Sequence, residues 1–160
     1  MDKNLARWTF ASIAQYFSTY ASTLGLEFFV EGINERDVDN MQKEHVELRV
    51  DGPYVKHVSS NCYLLHVGIN LILTDYMQMS SENAYSLMDW GGTFLNAMLS
   101  PIPIYRYGSG VGDDSTLVGC LTQRTKFAEP TRLLHFGQRG KTERFRQSMV
   151  DGRYELLLIL

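Results

Sequence analysis

The residue types that most often carry chemistry are thinly spread along this chain, and their spacing departs from the motifs they suggest. Gly137-Gln138-Arg139-Gly140-Lys141-Thr142 ends like a phosphate-binding loop, in which backbone N–H groups cradle phosphates and the lysine reaches the terminal one. That motif needs a glycine five residues before the Gly-Lys pair, and the position holds His135. Gly108-Ser109-Gly110-Val111-Gly112-Asp113 approaches a dinucleotide fingerprint. Asp113 stands where the third glycine belongs, and no helical pattern follows to present an N-terminus to a pyrophosphate. Both segments therefore read as turns.

The four histidines, His45, His57, His66 and His135, form no local ligand pair of the HxH or HExxH kind. His66 and His135 fall in expected strands and could meet across a sheet, although a hydrogen-bonded structural histidine is the favoured reading of each. Asp113 and Asp114 are adjacent in a glycine-rich loop, which does not give the rigid placement that acid–base work needs; solvation is the favoured reading, ahead of a weak divalent cation or a basic partner. No GxSxG elbow is present. Cys62 and Cys120 lack a CxxC context and read as reduced, small, buried thiols. Arg139, Lys141, Arg144, Arg146 and Arg153 make 139–153 locally basic, with Phe145 and Tyr154 among them. Such a patch suits nucleic acid or, diluted by Glu143, Asp151 and Glu155, a charged subunit interface. The reading assigns no catalytic residue, no cofactor site and no metal site.

The elements that must position these residues are legible from periodicity. Leu5, Trp8, Ile13, Tyr16, Phe17, Tyr20 and Leu24 fall mostly on one stripe, which predicts a helix over 3–24, capped by Asp2 or Asn4 and ended by Gly25. Leu26 to Glu31 is rich in strand formers. Residues 34–44 are polar and without periodicity, a long exposed loop. His45 to Asp51 alternates as a half-buried strand and is expected to stop at Gly52-Pro53. Cys62 to Thr74 is apolar on both faces, which predicts a central antiparallel strand paired with the preceding one.

A second helix is expected to start at Ser80-Ser81-Glu82-Asn83 and to stop near Ser100, before Pro101 and Pro103. Gly91-Gly92 inside it imply close packing on the sheet or a kink. Strands follow over 102–107, 116–127, 132–138 and 150–160, with a short helical turn in 139–148. The apolar run Leu156 to Leu160 is expected to be buried, in the sheet or against a neighbouring subunit. The order of elements predicts one α+β domain over 1–160, a mainly antiparallel sheet packed against an N-terminal and a middle helix, with long loops.

Composition bounds the possibilities. The 160 residues are 44% hydrophobic and 21% charged, with a formal net charge of −3. A chain of this size buries roughly 70% of its unfolded surface and needs no disulfide or metal to hold it. Disordered, collagen-like and coiled-coil classes are excluded, and no overall basic field draws the chain to nucleic acid or an anionic membrane. No signal-peptide pattern or transmembrane run is seen, so a reducing, soluble compartment is expected.

One resemblance adds to this reading. It is carried by Asn4-Leu5-Ala6-Arg7-Trp8, Glu47-Leu48-Arg49-Val50-Asp51-Gly52-Pro53, Val67-Gly68-Ile69-Asn70-Leu71-Ile72-Leu73, and His135-Phe136-Gly137-Gln138 followed by Val150-Asp151. Together, and in the order of elements over most of the chain, they resemble the tail terminator or tail completion proteins of tailed bacteriophages. The resemblance implies a compact α+β protein that forms a ring, usually a hexamer. The ring caps the tail tube, stops its polymerisation and meets the connector of the head and neck. It also implies a place in the virion, assembled in the host cytoplasm. Nucleic acid is then met only as the genome passing through the ring. The family has no common active-site signature, so no functional residue is carried over.

A cyclic ring joins one surface to a different surface of its neighbour. Residues of the mixed-charge loops and the basic segment are the sequence's candidates for that contact: Arg36, Asp37, Asp39, Asp113, Asp114, Arg139, Arg144 and Arg146. Charges there would set register more than affinity. The alternatives are a head-completion or adaptor protein of the neck, a small ligand-binding domain with a site dispersed in sequence, and a nucleic-acid-binding domain using 139–153.

Overall fold

The computed structural model describes residues 4–34, 43–76, 85–107, 116–124, 130–138 and 145–159, with only the backbone described at 137 and 138. Helix α1 runs Leu5–Thr23. Asn4 occupies its N-cap position, but its side chain makes no capping hydrogen bond. The C-terminal end follows the sequence closely. Gly25 adopts a φ of 69°, its N–H donates to Ser22 O at 3.1 Å, and Leu26 N–H donates to Ala21 O at 2.9 Å. This is the Schellman pattern, which satisfies carbonyls that the helix leaves unpaired.

Strand β1 (Glu27–Val30) lies parallel to the start of β2 (His45–Ser59), pairing Glu27 with His45 through Val30 with Leu48. It is the parallel edge of a sheet whose other described pairings are antiparallel. The expected stop at Gly52-Pro53 is not observed. Gly52 takes a φ of 107°, the Gly52–Pro53 peptide is cis, and the register with β3 shifts between Asp51 and Tyr54. A bulge absorbs the proline, which lacks a ladder donor and is tolerated because the described pairing of β1 with β2 ends at Leu48. β2 then continues to Ser59 and turns into β3 (Cys62–Tyr76).

Helix α2 spans Ser86–Leu99. The capping residues expected at 80–83 lie outside the described residues, and Tyr85 holds the N-cap position. Its end matches the expectation: Ser100 is extended and Pro101 follows. The two glycines inside it behave differently. A Cβ at Gly91 would sit 2.7 Å from Leu133 Cδ1, whereas one at Gly92 would meet nothing within 4 Å. Close packing on the sheet therefore explains Gly91 alone.

Strands β4 (Ile102–Arg106), β5 (Thr116–Gln123), β6 (Arg132–Gln138) and β7 (Phe145–Ile159) complete the fold. The order is β1-β2-β3-β7-β5-β4, with β6 paired to β7. β3 and β7 register along their whole length, from Cys62 against Ile159 to Tyr76 against Phe145. The helical turn expected in 139–148 gives way to strand from Phe145 onward.

The core forms where the helices cover one sheet face. Ile13 and Phe17 of α1 and Phe94 and Met98 of α2 meet Leu48, Leu65, Ile69, Leu71 and Leu73, all buried. The Phe17 and Phe94 rings lie 6.4 Å apart. The β4 side of the sheet is sealed by α1: Tyr105 N–H donates to Ser12 Oγ at 2.9 Å and Trp8 Nε1 donates to Tyr107 O at 3.0 Å. Such side-chain caps blunt an edge against strand addition.

Candidate functional site

Alternation in β2, β3 and β7 puts every second side chain on the sheet face away from the helices. Several charged residues of this face are paired with one another. Arg153 Nη1 donates to Asp51 Oδ2 at 3.0 Å, and Tyr54 Oη donates to Asp51 Oδ1 at 2.7 Å. Arg132 Nε donates to Asp151 Oδ1 at 2.9 Å. Arg49 Nε lies 2.9 Å from Glu47 and 3.7 Å from Glu31. The hydrogen bonds from Tyr54 and then Arg153 hold the Asp51 carboxyl below its ordinary pKa, and the hydrogen bond to Asp51, followed by the Asp51 charge, raises that of Tyr54.

Beyond this ladder the face turns apolar. Leu157 is 55% exposed and Ile159 80%. Register places Leu157 beside Leu64 and Ile159 beside Cys62, with Lys56 of β2 across from Leu64 and Tyr54 one outward position further along, across from His66. The burial expected for 156–160 is therefore halved: Leu156 and Leu158 enter the core, while Leu157 and Ile159 form an outward ridge. A second apolar feature lies elsewhere. Arg7, Phe10, Ala11 and Ala14 of α1, with Val30 at the end of β1 and Glu31 to Ile33 after it, enclose a groove of about 500 Å³.

The residues singled out in the sequence fare unevenly. Arg36, Asp37, Asp39, Asp113, Asp114, Arg139 and Arg144 lie outside the described residues. Arg146 is described, and it is not a surface cation. Its guanidinium binds Asp75, whose side chain is 1% exposed, and Ser86 Oγ donates to the same carboxylate at 2.9 Å. Arg146 thus fastens β7 to β3 and the first turn of α2. His66 registers with Tyr54 and Glu155, His135 with Ser148, so the two histidines do not meet. Cys62 and Cys120 are free and half-buried rather than buried.

One cluster has the composition of a nucleophilic triad. His135 Nδ1 lies 2.8 Å from Ser148 Oγ, and Asp75 sits two residues along β3 from Leu73, the partner of Ser148. Its wiring is structural. Ser148 is 1% exposed, and Asp75 serves Arg146 and Ser86 rather than the imidazole. A triad needs an accessible nucleophile and a base oriented by the third member. Among the described residues, no group of three or more His, Cys, Asp and Glu side chains is placed to hold a metal, and no helix is long and apolar enough to cross a membrane.

No family model and no curated protein matches this chain. The ridge and the groove are what sequence reasoning missed. The signal for the ridge was present, since a strand apolar on consecutive positions from Leu156 to Leu160 must turn some of them outward. The groove had none, because it depends on how the chain after β1 sits against α1.

Proposed function

We propose that this chain is a non-enzymatic assembly subunit that joins copies of itself head to tail in a closed ring. Following its resemblance to tail terminators, the ring is a hexamer in the virion of a tailed phage. It ends the tail tube, binds the tail tube protein on one side and the connector of the head and neck on the other, and lets the genome pass through its lumen.

The observation that carries the self-assembly reading is the separation of ridge from groove. Val30, in the groove, registers with Leu48 and through it with Leu71 of β3, whereas Ile159 registers with Cys62. The strand from Leu71 to Cys62 covers about 30 Å. The ridge is also on the open face, and the groove is against α1. One copy therefore cannot fill its own groove with its own ridge. An apolar protrusion and an apolar recess on different parts of one molecule make a heterologous contact, which repeats into a ring where the rotation closes. The resemblance supplies the place in the virion.

Native mass spectrometry with negative-stain imaging tests the proposal. The expected result is a closed ring of fixed copy number, with six copies favoured. A protein that stays monomeric at every concentration, both alone and with purified tail tubes, would overturn it.

A further inference from the structure

We propose that the cleft between α1 and β4 binds an uncharged, proline-rich segment of another polypeptide in extended polyproline form. The cleft has a volume of about 510 Å³. It is lined on α1 by Ser12, Gln15, Tyr16 and Tyr20, and on the β4 side by Tyr105 and Tyr107. Residues 12, 16 and 20 repeat at four-residue spacing, so they form one stripe along the helix. A helix sealed against a strand is ordinarily lined by aliphatic residues. Here the stripe is aromatic and hydroxylated and borders open space.

The rings are held in place. Tyr16 Oη donates to Ala97 O at 2.9 Å and accepts from Tyr20 Oη at 3.4 Å. The Tyr16 and Tyr20 rings lie 5.3 Å apart at 60°. Tyr107 Oη donates to Gln15 Oε1 at 3.4 Å. With that oxygen engaged, the Gln15 amide offers its NH₂ group as a donor, and the Tyr105 hydroxyl is a second polar group of the lining. Burial, with the Tyr20 contact, raises the pKa of Tyr16 well above its ordinary value, so its hydroxyl stays neutral.

Two features choose the ligand. Among the described residues, no charged side chain lines the cleft, which gives nothing there to recognise a phosphate or a carboxylate. The backbone of β4 is already engaged, since Tyr105 N–H is bonded to Ser12. An incoming strand therefore cannot pair with it at that point, and a ligand has to be gripped by rings and side-chain donors. A proline-rich segment suits both conditions. It presents carbonyl acceptors with few N–H groups to satisfy, packs its pyrrolidine rings on aromatic faces, and is already extended before it binds. The stripe from Ser12 to Tyr20 is about 12 Å long, the length of about four residues of polyproline helix.

The experiment is a titration of the isotopically labelled full chain with an acetylated, amidated proline decamer, followed by NMR. Saturable shifts at the cleft residues are expected. Tyr105→Ala and Tyr20→Ala should each weaken binding about tenfold or more, as truncation of a stacking aromatic does. Tyr105→Phe, which keeps the ring, should weaken it less. Melting curves confirm that each variant is folded, and Gln15→Ala on the helix surface serves if one is not. Absence of saturation by the decamer, saturation elsewhere on the molecule, or binding unmoved by the cleft variants would each overturn the proposal. So would saturation of the cleft by a neutral oligosaccharide such as cellohexaose in place of the decamer. The cleft is separate from the ridge, so this result and the copy number of the ring stand or fall independently.

Discussion

Arg153 reaches Asp51 over the top of Gly68. The two are on β7 and β2, with β3 between them, and their side chains meet at 3.0 Å. A Cβ built at Gly68 would lie 2.0 Å from Arg153 Nη1 and 3.2 Å from Asp51 Cβ. Glycine is needed there because a guanidinium occupies the space of its missing side chain. Gly68→Ala should leave the fold intact, because the obstructed atom is the end of a flexible side chain. Exposed ion pairs contribute only about 0–1 kcal/mol, so the change in stability should be small. The sharper readout is coupling. Asp51→Asn and Arg153→Gln should be non-additive in urea melts with glycine at 68 and additive with alanine there.

Asp51 also gives the face a pH signature. Its folded-state pKa is lowered, by the hydrogen bond from Tyr54 first and that from Arg153 next. The folded form therefore binds the proton less well than the unfolded form. The contribution of Asp51 to stability is complete above its unfolded value and is lost as pH falls through the lower folded value. An NMR titration should place the Asp51 midpoint below the ordinary value of about 3.9. Tyr54→Phe should raise it more than Arg153→Gln does. A wild-type midpoint at or above the ordinary value would sink the assignment.

Arg146 and Asp75 form the more consequential pair because Asp75 is 1% exposed and Arg146 18%. Removing one partner leaves a charge inside the fold. Arg146→Met should destabilise the chain by roughly 3–5 kcal/mol, the cost typical of orphaning a buried ion. Asp75→Asn combined with Arg146→Met should recover much of that loss in chemical denaturation. A single variant as stable as the wild type would show that the pair is solvated and carries nothing.

That pair also explains where the sequence misleads. Regular elements were legible where burial and apolarity coincide, as in Leu65, Val67, Ile69, Leu71 and Leu73 of β3, all buried. They were also legible where punctuation is strong, as at Gly25 and Pro101. The first part of β7 was hidden because its buried face carries Arg146 and Ser148 rather than aliphatic residues. Each is satisfied by a group distant in sequence, Asp75 and His135, so no local pattern announces them. The continuation of β2 past Pro53 was hidden for the opposite reason. A local stop signal is real, yet the pairing with β3 on either side of the bulge overrides it. The parallel pairing of β1 rests on a crossover whose geometry no window of sequence contains. Of the candidate contact residues, Arg146 alone could be placed. The ridge and the groove depend on tertiary packing.

Ridge and groove make one prediction that separates a ridge-in-groove contact from a dimer that pairs ridge with ridge or groove with groove. Leu157→Lys with Ile159→Lys charges the ridge at two outward positions, 55% and 80% exposed, so folding should be unaffected. Ala11→Lys with Ile33→Lys blocks the groove at positions that are half-buried and 68% exposed respectively. Each double variant alone should be monomeric, its self-contact weakened about a hundredfold or more. Mixed together, they still possess one intact ridge, on the groove variant, and one intact groove, on the ridge variant. A heterologous contact therefore restores a single interface, and native mass spectrometry should find one-to-one heterodimers with nothing larger. A two-fold contact of ridge with ridge, or of groove with groove, needs the same patch intact on both partners, so it cannot be rescued in this way. Heterodimers in the mixture would show that ridge meets groove, and the copy number of the wild-type assembly then separates a ring from a reciprocal dimer. Rings that persist in either variant alone would place the subunit contact elsewhere on the molecule.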